Sequence, residues 1–197
     1  MNARSIALIS TFAALAIALN TIRIPSIFWP GFAYSFCEIP VLVAFLIFGF
    51  KSGFLVEALH IAGQEIFFPA GPAGIVVYPM GFIFVPLMFS GIYLASKFLA
   101  RRAASGKQIS EKKRALYFAG FATALRGGIM PIIDYTIMYS ILLPLVLSIT
   151  IPAAHIAALV PSFIAYNITN ALYVVPVAYL VAKRVSKYLK METSIPL

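Results

Sequence analysis

Apolar residues run along this chain in long blocks, broken by short polar or Pro/Gly-rich stretches. The blocks cover residues 5–22, 38–50, 53–68, 75–98, 114–135 and 157–181. Their hydrophobic positions do not alternate with polar ones, as the strands of a membrane barrel would require. A helix of about 20 apolar residues crosses a bilayer. The pattern therefore predicts an all-α integral membrane protein, with six transmembrane helices in one domain over 1–197.

The breaks have their own logic. Gly49 to Gly53 reads as a tight turn, and Pro69 to Gly74 as an uncharged one. The stretch from Ala115 to Ile149 is too long for one span, and Pro131 and Pro144 divide it. A fifth span ending near Tyr135 is expected, followed by an apolar outer loop or a re-entrant piece. Asn20 to Phe36 mixes Pro25, Pro30 and Gly31 with Arg23, Phe28, Trp29, Phe32 and Tyr34. It is either an interfacial belt or a lid over a ligand. The first block is either a span or a secretory signal peptide, and the five further spans favour the former.

Composition agrees with the pattern. The chain is 62% hydrophobic and 11% charged, against about 45–50% and 25% in soluble domains. The net charge of +9 points to topology rather than nucleic acid. Nearly every Lys and Arg lies at the N-terminus, in the 49–53 turn, in the 97–114 loop or at the C-terminus. With both termini cytoplasmic, all four fall on the side that attracts positive charge. Cys37 is the only cysteine, which excludes an internal disulfide and a Cys-based metal cluster.

Few polar groups interrupt the blocks. Glu57, His60 and Gln64 fall on one helical face, with Glu65 at its margin. Such groups are costly in lipid, so the face is expected to line a polar pocket. Glu38, opening a helix just before Pro40, would complement the helix dipole at the mouth of that pocket. Arg126 could pair with Glu57 or Glu65, or with Asp134 if its helix is irregular. Asn167 and Asn170 share a face, where they would either bond a neighbouring helix or meet a ligand. The catalytic signatures are incomplete. His60 and Glu65 lack the second histidine of a His-Glu-x-x-His zinc site, Ser90 lacks the leading glycine of a nucleophile elbow, and no phosphate-binding Walker loop occurs. The chain is read as a non-enzyme without a metal or other cofactor. A self-contained carrier using the buried carboxylates, and less so an intramembrane enzyme, are the alternatives.

Small residues repeat every fourth position early in the chain, as Ala3/Ala7, Ala7/Thr11, Ser10/Ala14 and Ala14/Ala18. Further on come Glu38-Ile39-Pro40, Phe45-Leu46-Ile47-Phe48-Gly49, Gly53-Phe54-Leu55-Val56, Met130 with Asp134-Tyr135, and Tyr166-Asn167-Ile168-Thr169-Asn170-Ala171. With these stretches the chain resembles the substrate-binding S components of energy-coupling-factor (ECF) vitamin transporters, most of all the riboflavin-type members. The resemblance implies capture of riboflavin or a related heterocycle in an outward pocket built from the first outer loop and the later helices. Asp134-Tyr135 stands where the family usually has Asn-Tyr, Asn167 and Asn170 where it has Asn and Lys, and His60 near its third-helix Lys. The substrate-binding set is therefore Asp134, Tyr135, Asn167, Asn170, Met130, His60, Gln64, Glu38, Trp29 and Tyr34. The resemblance also implies partners, a membrane coupling subunit and two ATPase subunits. The small-residue faces (Ala3, Ala7, Ser10, Thr11, Ala14 and Ala18) would form the docking surface.

Overall fold

The computed structural model describes residues 3–28, 33–106 and 108–196. Its helices are α1 (Ala3–Leu19), α2 (Glu38–Phe48), α3 (Phe50–Phe67), α4 (Pro72–Val77), α5 (Gly81–Ala104), α6 (Glu111–Ile133), α7 (Leu143–Leu147) and α8 (Ala153–Leu189). Among the described residues, three helical stretches are long and apolar enough to cross a membrane: Pro72–Ala104, Glu111–Leu147 and Ala153–Leu189. The latter two, at 37 residues each, extend roughly 55 Å at 1.5 Å per residue, well beyond the roughly 30 Å hydrocarbon layer.

Several elements differ from the sequence expectation. The 49–53 turn shrinks to one residue, because Gly49 at φ 90° reverses the chain and α3 begins at Phe50. α2 has only 11 residues, roughly 16 Å of helix, too short to cross a bilayer alone. It is buried on every side, from Val41 to Ile47, as expected for a helix apolar all round. After Tyr135, where an apolar outer loop or a re-entrant piece was expected, the chain stays helical to Leu147. A π-helix over Asp134–Leu142 instead carries α6 into α7, with Ser140 Oγ donating to the Tyr135 carbonyl. Pro144 stands in the first turn of α7, where the hydrogen-bond pitch changes, so it does not stop the helix. Residues 20–36 contribute an antiparallel ribbon, β1 (Arg23–Pro25) against β2 (Ala33–Ser35), where only irregular chain was foreseen.

The core gathers α2 inside α1, α3, α5, α6 and α8. α5 and α6 approach closely at Gly91, where a Cβ would stand 2.5 Å from the Ala122 Cα. Large apolar side chains such as Ile66 and Leu145 point outward, as a lipid-facing surface requires.

The helix ends sort by charge. At one end Lys183 pairs with Glu111 and Arg102 donates to the Tyr117 hydroxyl. Ser194 and Ile195 cap the carbonyls of Ile47 and Leu46, and Arg114 donates to the Pro196 carbonyl. The end of α2, both ends of the 105–110 connection and the chain's tail thus meet there. The β-ribbon and the N-terminus of α2 lie at the other end.

Candidate functional site

A cavity of about 220 Å³ opens at the ribbon end. Its walls come from the ribbon, from helix ends beside it and from the inner stretches of α3 and α8. Asn20 follows α1, Arg23 and Ser35 come from the ribbon, Glu38 begins α2, and Glu57, His60 and Gln64 lie along α3. Tyr166 of α8 and Phe84 of α5 close it, and Phe84, Val77 and Tyr166 separate it from a second cavity of about 110 Å³. That second space is lined by Arg126, Met130, Asp134, Met138 and Asn167.

Arg126 anchors the ground between them. It is 1% exposed and donates from Nη1 to Glu38 Oε2 at 2.5 Å and from Nη2 to Oε1 at 3.2 Å. Its Nε donates to Asn167 Oδ1 at 3.0 Å, and the guanidinium lies 4.6 Å over the Phe84 ring. Asn167 in turn donates to the Phe163 carbonyl, and Asn170 Nδ2 donates to Glu38 at 3.4 Å. A forked guanidinium on a carboxylate is the strong geometry for such a pair, and added amides satisfy the remaining lone pairs. The expected partners Glu57, Glu65 and Asp134 are thus replaced by Glu38, 88 positions away. Glu57 is taken instead by His60, whose Nδ1 lies 3.1 Å from Glu57 Oε2. Glu65 is exposed, outside the polar face.

The structure divides the sequence-derived residues into groups. Glu38, His60 and Gln64 line the larger cavity, and Met130, Asp134 and Asn167 the smaller. Asn170 reaches the site through Glu38. Tyr135 packs beside Tyr139 and Phe163 in an apolar cluster and lines neither cavity. Tyr34 clamps the ribbon onto α8. It stacks on Tyr166 at 5.1 Å and shares a hydrogen bond with Thr169 Oγ1 at 2.6 Å. Tyr166 and Tyr173 complete the clamp by donating to the carbonyls of Ala33 and Ser35. Trp29 lies outside the described residues.

Asn20, Cys37, Tyr78 and Phe84 are wall residues that the sequence did not single out. Each stands at an element boundary or within an apolar run and carries no motif, so only the fold assembles them. On α1, Ala7, Ser10, Thr11, Ala14 and Ala18 all lie on an exposed face. Ala3 begins the same helix. Among the described residues no three His, Cys, Asp or Glu side chains gather as metal ligands.

No protein-family model and no curated protein matches the chain. A solved structure of the S component of a bacterial ECF transporter does, at 21% identity over 95% of this chain and 98% of that one, with a TM-score of 0.61. This protein therefore has the fold of an ECF S component, built around a polar cavity at one end of an apolar helical bundle.

Proposed function

We propose that this protein is the substrate-binding subunit of a modular, ATP-driven vitamin importer in the cell membrane, a six-span S component with both termini in the cytoplasm. The observation that carries the reading is the cavity. It carries charged and polar side chains on its wall, opens at the ribbon end, and is set within an apolar bundle at the end opposite the basic helix termini. Under the positive-inside rule that end faces outward, where a nutrient arrives. The S-component fold supports the same role, and no catalytic group is needed for it.

The ligand is riboflavin or a related small heterocycle. A cavity of about 220 Å³ falls below the roughly 300–1,000 Å³ of most ligand sites. A three-ring compound therefore fills both cavities, with the aromatic partition of Phe84 and Tyr166 moving to stack against it. Capture is followed by docking of the exposed α1 stripe on a membrane coupling subunit that carries two ATPases. Purified protein titrated with riboflavin tests the reading. Fluorescence quenching and thermal stabilisation at micromolar ligand are the expected results. Neither effect at that concentration would remove the flavin assignment.

A further inference from the structure

Among the described residues, two polar atoms on the wall of the larger cavity are buried without a hydrogen-bond partner: His60 Nε2 and Asn20 Nδ2. Their residues are 4% and 6% exposed. Buried polar groups in folded proteins are almost always satisfied, so two orphans on one cavity call for a ligand. Their chemistry says which kind. Glu57 is 1% exposed, and a lone carboxylate so placed is far costlier than one paired with a cation. As that cation, His60 has an N–H on each ring nitrogen. Nδ1–H goes to Glu57, which leaves Nε2–H without a full hydrogen bond, the Cys37 thiol beside the ring being only a weak acceptor. The Asn20 amide nitrogen is a second such donor, and the Arg23 guanidinium stands on the same wall. The other acidic wall residue, Glu38, is already engaged by Arg126 and Asn170.

We infer that Asn20 and His60 form a donor subsite that receives an oxygen acceptor of the captured molecule, a ring carbonyl or a carboxylate. The inference rests on the capture reading and narrows its ligand class. Acceptor-bearing compounds satisfy both donors, whereas a cation without such an oxygen strands them and meets Arg23. Sites built to hydrogen-bond a group reject analogues that lack it, because their own polar atoms are left unpaired.

The test is thermal stabilisation of the purified protein by three probes: riboflavin, with ring carbonyls; biotin, with a ring carbonyl and a carboxylate; and thiamine, with neither. Stabilisation by riboflavin or biotin but not thiamine is expected. Asn20→Leu should weaken the stabilising probe about ten- to a hundredfold, the cost of losing a buried hydrogen bond. The paired change Glu57→Leu with His60→Leu should do the same without stranding a charge. The probe comparison on the unaltered protein stands even where a variant fails to fold. Stabilisation by thiamine, or unchanged affinity in both variants, overturns the donor subsite and leaves heterocycle capture standing. No shift with any of the three overturns both.

Discussion

A guanidinium that is 1% exposed inside an apolar bundle is tolerable only while its carboxylate partner stays in place. Arg126 and Glu38 come from α6 and α2, so their forked contact ties the buried central helix to the periphery. Removing either partner leaves an uncompensated charge, which costs about 3–5 kcal/mol, whereas replacing both with apolar groups of similar size is close to neutral. Arg126→Met and Glu38→Leu are each expected to lower the unfolding midpoint in detergent sharply. The double variant should regain most of the loss. If the two losses simply add, the pair is not what holds these residues.

Among the elements, α1 and α5 make separable predictions. Ala7, Ser10, Thr11, Ala14 and Ala18 form an exposed face of α1 and line no cavity described above. Small side chains let another helix approach closely in lipid. Ala14→Leu should leave ligand affinity unchanged but abolish uptake in a complex reconstituted with the coupling subunit and ATPases. Intact uptake would take the docking face off α1. Gly91 differs because its Cβ position is already filled by the Ala122 backbone. Gly91→Val must push α5 from α6, and an overpacking cost of about 1–3 kcal/mol is expected in the same unfolding assay. The long helices were legible because continuous apolar runs register in any window of the sequence. The ribbon and the π-helix were not. Three-residue strands carry no period, and the Asp134–Leu142 stretch reads like ordinary helix until its hydrogen bonds are seen. The site was legible in part for the same reason. His60 and Gln64 announce themselves as polar residues in apolar sequence, but Asn20 and Phe84 join them only through the fold. The Arg126–Glu38 pair spans 88 positions, beyond any local pattern.

At the scale of the whole molecule, the choice is between a capture subunit and a carrier that works alone. Buried Glu57 and His60 are the groups a proton-driven carrier would use, since ionisable residues at membrane depth commonly mark ion paths. Here, however, they lie on the wall of one cavity at the ribbon end. The opposite end is closed by the chain's own tail, with Ser194 and Ile195 bonded to α2 and Ile195 buried in the core. An alternating carrier must open both ends in turn, and the cavities beside the tail share no wall residue with the one at the ribbon end. Sealed vesicles containing only this chain should therefore bind ligand at the ribbon face without accumulating it, whatever the imposed pH gradient. Adding the coupling subunit, both ATPases and ATP should start accumulation, and Glu57→Gln should leave its energy source unchanged. Accumulation by the chain alone, driven by a pH gradient and lost in Glu57→Gln, would instead make it a carrier.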